Sequence, residues 1–178
     1  MPEAKVIFDD SRESVIVTTL NPGSYTAVVR GAGGQTGTGL IEAYDLSSGG
    51  ASKLANISTR GAVDGGENVL IGGFIAVGSG SNAKVVVRAI GPSLGAAGVS
   101  GALQDPTLEL FDGNGSPISG NDNWQDTQGG ELQASGIPPG NAAESAIVAA
   151  LAPGSYTAVV RGKNGGTGVG LIEVYNVQ

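Results

Sequence analysis

Five oxygen-bearing residues close together, Asp105, Asp112, Asn114, Asn121 and Asp122, are the side chains of this sequence best suited to chemistry. A hard cation such as calcium takes about six to eight oxygens from carboxylates, amides and carbonyls, and loops at one end of a β-sandwich can gather them. Calcium at these five residues is therefore the metal site to expect, and no other cofactor suggests itself. The spacing is not that of an EF-hand, because Pro117 follows Ser116 and no Glu closes the loop at its twelfth position. Read without a metal, Asp112-Gly113-Asn114-Gly115 is a hairpin turn and Asn121-Asp122-Asn123 a polar loop.

Other chemistries are narrowed by what the chain lacks. With no Cys and no His, disulfides, thiolates, zinc sites of the usual ligand types and Ser-His-Asp or Cys-His constellations are excluded. A net charge of −7 with nine basic residues argues against nucleic-acid backbones and anionic lipid as partners. Gly31 to Gly39 is rich in glycine but leads into another strand, Leu40 to Asp45, where a phosphate cradle needs a helix N-terminus. Glu42 and Glu173 invite a glycosidase reading; on strands they read more simply as solvent-facing charges, with Arg30 and Arg161 as cross-strand partners. Trp124, the sole tryptophan, suits a core cap better than a sugar platform. Arg88, set among alternating apolar residues, points outward or pairs with an acid.

The elements that hold these residues read as strands. Thirty-two glycines punctuate β-branched runs, which is the pattern of turns in an all-β protein. Strands are expected near Ala4 to Phe8, Ser14 to Leu20, Ser24 to Arg30, Leu40 to Asp45, Ala55 to Arg60, Asn68 to Val77 and Lys84 to Ile90. Others are expected near Thr107 to Phe111, Pro117 to Gly120, Ser145 to Leu151, Ser155 to Arg161 and Leu171 to Val177. Alternation puts Tyr25, Ala27 and Val29, and again Tyr156, Ala158 and Val160, on one core face. Asn21-Pro22-Gly23 and Ala152-Pro153-Gly154 place Pro before Gly, the order of a type II turn, and predict tight hairpins. Helix is confined to a turn or two at Asp126 to Ala134, capped by Asp126 or Thr127, and a single turn at Pro92 to Ala97.

One stretch occurs twice. Glu13 to Leu46 and Glu144 to Val177 agree at roughly two positions in three, offset by about 131 residues, which marks a tandem unit of domain size. The second copy follows a long lead-in, Leu54 to Ala143, whereas the first has only a short one. Ser47 to Ser52 is the linker. The domains expected are residues 1–48, the closing strands of a partial repeat, and residues 49–178, a complete unit. The partial repeat has too few residues to bury both faces of a sandwich alone.

Asp105 to Gly115, Asn121-Asp122, Glu144-Ser145-Ala146-Ile147 and Leu151 to Thr157 together resemble the bacterial pre-peptidase C-terminal domain family. The resemblance covers residues 105–177 and, more weakly, 7–46, with Trp124 to Asn141 as an insertion. It implies a small β-sandwich appended to exported proteases and other surface proteins, an accessory that brings no catalytic residues. The lead-in at 55–61, 71–75 and 88–94 resembles repeats of large secreted proteins of environmental bacteria.

The resulting expectation is an all-β, antiparallel β-sandwich or jelly-roll-like fold with one complete unit and a partial repeat. Its function is expected to be non-enzymatic: an extracellular or cell-surface bacterial repeat that self-associates head to tail by strand complementation into a filament, surface array or adhesin stalk. The alternative is a carbohydrate- or protein-binding accessory domain of an exported hydrolase. No apolar run reaches membrane-spanning length.

Overall fold

The computed structural model describes residues 10–46, 54–77 and 82–177. The chain divides into two compact units, Met1–Lys53 and Leu54–Gln178. The strand expected at Ala4 to Phe8 lies outside the described residues.

Unit Leu54–Gln178 holds β1 (Asn56–Val63), β2 (Leu70–Ala76), β3 (Ala83–Ile90), α1 (Pro92–Ala96), β4 (Pro106–Asp112), β5 (Pro117–Asn121), α2 (Gly129–Ala134), β6 (Ser145–Leu151), β7 (Gly154–Gly162) and β8 (Gly168–Asn176). Two four-stranded antiparallel sheets form, in the orders β1-β8-β3-β6 and β2-β7-β4-β5. The fold is thus an all-β sandwich, as the alternation predicts. Its core lies between the sheets, where Val85, Val87, Ala89, Ile147 and Ile172 meet Leu108, Leu110, Ala158 and Val160. Each of these Val, Leu and Ile side chains contributes about 1.5–3 kcal/mol on full burial.

The connectivity overturns one expectation. Of the described connections only β4–β5 is a hairpin; β6, β7 and β8 alternate between sheets and none pairs with another. The Pro153-Gly154 corner is therefore a crossing from one sheet to the other. Neither Gly23 nor Gly154 takes the positive φ that a type II turn demands. Crossing the sandwich reverses the chain while changing layer, so the same Pro-Gly punctuation serves without a ladder.

A second layer of packing covers the outer face of the first sheet. Between β5 and β6 the chain places Trp124 and Leu132 on Val86, Ala146 and Val148. This is why β6 reads as a nearly continuous apolar run: both its faces are covered. Helix α2 starts at Gln128 as N-cap rather than at Asp126 or Thr127.

Among the described residues 10–46 no strand is assigned, and a 3-10 turn spans Ala32–Gly34. The strands expected at Ser14 to Leu20, Ser24 to Arg30 and Leu40 to Asp45 are thus corrected, and Tyr25, Ala27 and Val29 form no buried face. The physical reason lies in the second copy. There the same three segments draw every ladder partner from β1, β2, β3 and β4, and residues 10–46 contain no equivalent of those strands.

Candidate functional site

The five residues expected to bind calcium do not converge. Asp112 closes the β4–β5 turn, its Oδ1 accepting the backbone N–H of Asn114 at 2.9 Å and of Ser116 at 2.8 Å, and this is the hairpin turn of the alternative reading. Asn121 fastens β5 to β6: Oδ1 accepts the Ala146 N–H at 2.9 Å, and Nδ2 donates to the Asn123 carbonyl at 3.0 Å. Asp105 and Asp122 do meet, on a residue that sequence reasoning overlooked. Lys163 Nζ lies 2.7 Å from Asp122 Oδ2 and 3.6 Å from Asp105 Oδ2. The hydrogen bond that Lys163 donates to Asp122 is the main cause that holds its ammonium above the ordinary pKa of 10.5. Among the described residues no three acidic side chains gather where they could hold a metal ion.

The densest polar anchoring serves the closing strands β6 to β8. Glu144, fully buried, precedes β6 and receives four donors: the N–H groups of Gly91 (3.2 Å), Ser93 (2.9 Å) and Asn141 (3.0 Å), and Ser93 Oγ (2.9 Å). Ser145 Oγ sits between the carbonyl oxygens of Pro106 and Asp122. On the outer edge of β6, Gln128 imitates a neighbouring strand: Oε1 accepts the Val148 N–H and Nε2 donates to the Val148 carbonyl, both at 2.9 Å. The Val148 groups of that edge are thereby taken up.

On β8, Glu173 is buried rather than solvent-facing. Arg88, directly opposite on β3, donates to it from Nε at 2.9 Å and Nη2 at 2.5 Å, and also reaches the Ile137 carbonyl at 3.0 Å. Tyr175 Oη donates to Glu173 Oε1 at 2.8 Å, and its ring centroid lies 5.0 Å from the Arg88 guanidinium carbon. Burial first, and the Glu173 bond second, raise the Tyr175 phenol above 10.0. Arg161 pairs with Glu109 at 3.6 Å, not with Glu173. The cross-strand pairing expected of the repeated charges is thus corrected, because β7 and β8 lie in different sheets. Trp124 is buried as a core cap, its Nε1 donating to the Asn141 carbonyl at 3.1 Å. It offers no platform for a sugar.

The first copy repeats the local geometry of the second without its burial. Tyr25 Oη donates to the Asn21 carbonyl at 2.8 Å, as Tyr156 Oη does to Ala152 at 2.8 Å. Tyr44 Oη donates to Glu42 at 2.9 Å, the counterpart of the Tyr175–Glu173 bond. Gly33 and Gly34, at φ 64° and 78°, match Asn164 and Gly165 at 54° and 76°. A Cβ on Gly31 would fall 2.0 Å from the Gln35 carbonyl oxygen, and one on Gly162 would fall 1.9 Å from that of Gly166. The side chains differ in surroundings: Ile16 is 84% exposed against 1% for Ile147, Val29 60% against 0% for Val160, and Ile41 44% against 1% for Ile172. This apolar stretch, which has the sequence of strands but no ladder, is the candidate functional surface.

An open cleft of about 270 Å³ is lined by Lys84, Glu131, Ala134, Ser135 and Val177, and the Ser135 hydroxyl in it donates to the Leu132 carbonyl at 2.6 Å. Among the described residues no helix is long and apolar enough to cross a membrane. No protein-family model matches the chain. No curated protein matches it either. Among solved structures it is similar to the pre-peptidase C-terminal domain of a collagenase from Bacillus anthracis, at 14% identity and a TM-score of 0.42, covering 67% of this chain and 88% of that one.

Proposed function

We propose that this chain is a non-enzymatic structural repeat of a bacterial extracellular assembly, which joins a neighbour head to tail by β-strand complementation in a filament, a surface array or an adhesin stalk. One observation carries the reading: residues 13–46 have the sequence and backbone turns of three sandwich strands, yet expose the side chains that the second copy buries. Large apolar side chains exposed in such number on one segment mark an interaction surface. The contact it makes is heterologous, a donor segment on one subunit and a different surface on the next, so it propagates unless its rotation closes a ring. The extracellular bacterial setting follows the sequence resemblance of residues 105–177.

Purified protein is expected to form concentration-dependent ladders in sedimentation velocity and fibres in negative-stain electron micrographs. A strictly monomeric species at every concentration overturns the filament.

A further inference from the structure

Resting on that reading and deepening it, we infer that residues 13–46 are a second set of closing strands whose partner is an open acceptor: the β1–β5 half, residues 54–121, of another copy in which residues 144–177 are not seated. The acceptor is defined by the second copy itself. β6 lies against β3, β7 fills the slot between β2 and β4, and β8 fills the slot between β1 and β3. Three strands that never pair with one another can be supplied as one segment, and any segment with the same side chains and turns fits the same slots.

The first copy meets those conditions position by position. Ile16, Ala27, Val29 and Ile41 stand where Ile147, Ala158, Val160 and Ile172 enter the core. Glu13 stands for Glu144, which takes the amides of Gly91 and Ser93, and Glu42 stands for Glu173, which takes Arg88. Both carboxylates thus have donors waiting in an acceptor, and both tyrosine bonds and the glycine turn are already made in the unpaired segment. The apolar differences are small, such as Val15 for Ala146 and Ala43 for Val174, whereas Ala32 stands for Lys163, so the first copy brings no ammonium to Asp105.

Counting donors and acceptors fixes which copy can bind. Residues 10–177 contain two donor segments and one acceptor, and in the structure the acceptor is filled by residues 144–177. A closed copy can take a neighbour's residues 13–46 only by releasing its own closing strands, which exchanges one exposed segment for another. Each joint between closed copies therefore frees a closing segment that is again a donor, so joints can follow one another, and a copy whose acceptor stands open takes the segment without that exchange.

The test uses full-length chains. In the double variant Ala27→Asp/Ala158→Asp, each donor carries a carboxylate at the position that faces Gly72 and Leu110, so the acceptor stays open and neither donor of that chain can fill it. Refolded together with wild type, it is expected to form a 1:1 complex and to regain a cooperative thermal transition. With Ala27→Asp chains in place of wild type, both gains are lost.

A covalent readout covers a double variant that folds poorly. The chain has no native cysteine, and Ser24 corresponds to Ser155, the register partner of Ile75. Ser24→Cys on the wild-type background and Ile75→Cys on the double variant are expected to give a disulfide-linked heterodimer on co-refolding. Placing the first cysteine at Val28, four residues out of register, is expected to give none. Absence of both complex and disulfide, or equal complex formation with Ala27→Asp chains, overturns the inference. Fibres of wild type with failed rescue refute insertion while keeping assembly; rescue by a strictly monomeric wild type refutes the filament while keeping the donor.

Discussion

Glu144 is fully buried where α1 begins and where the chain enters β6, and its two oxygens answer four donors. Glu144→Ala strands the buried N–H groups, at roughly 1–3 kcal/mol for each donor left unsatisfied, so urea denaturation is expected to show a large drop in midpoint with little change in slope. Two other groups set the alkaline limit. Tyr175 and Lys163 are both raised above their ordinary values, the phenol chiefly by burial and the ammonium chiefly by Asp122. Each contribution is fully present below the unfolded pKa of its group, 10.0 and 10.5 respectively, and is lost as pH rises through the higher folded value. Melting temperature is expected to hold to about pH 10 and fall above it, less steeply in Tyr175→Phe; a flat profile to pH 12 contradicts this. Because Lys163 already places a positive charge between Asp105 and Asp122, millimolar calcium is expected to leave the melting temperature of wild type unchanged. A ligand that binds only the folded state would raise it.

The segments that became β1 to β8 were legible in the sequence to within a few residues at either end, because β-branched runs between Gly and Pro mark strands whatever they pair with. Pairing itself was not legible. Alternation in Ser155 to Arg161 says which side chains share a face, but nothing in it distinguishes a β6–β7 hairpin from a crossing between sheets. The same gap hid the fate of residues 13–46, since a run with good strand residues forms a ladder only where partner strands exist. Within the site, Asp105 and Asp122 were visible as acids, whereas Lys163 was missed because only the tertiary fold brings it to them. Glu173 was read as exposed because the sequence of the insertion Trp124 to Asn141 does not say which sheet face it covers; the apolar faces on both sides of β6 were the available signal. At this scale Gly162 gives a direct check. A Cβ there meets the Gly166 carbonyl oxygen at 1.9 Å, so Gly162→Ala is expected to cost about 1–3 kcal/mol through forced backbone movement. Gly31→Ala, its counterpart in the first copy, is expected to leave the unfolding transition of the sandwich unmoved.

Across the whole molecule, the complete sandwich protects what the first copy displays. Gln128 occupies the Val148 backbone groups on the outer edge of β6, and Trp124 and Leu132 pack on that sheet's outer face, which hinders lateral growth from β6. A mechanical consequence follows from how β1 and β8 lie. The N-terminal end of β1 is paired with the C-terminal end of β8, Asn56 opposite Tyr175, and the Asn176 N–H donates to the Ala55 carbonyl at 3.2 Å. Tension applied through residues 54 and 177 therefore loads this ladder one rung at a time, peeling the strands apart like a zipper instead of shearing all their hydrogen bonds together. Single-molecule pulling through those two positions is expected to open the sandwich at markedly lower force than pulling through residues 63 and 177, which drags β1 along β8. In a stalk under load, such a repeat would act as an extensible link that yields early and lengthens, with the strength of the array resting on the joints between repeats.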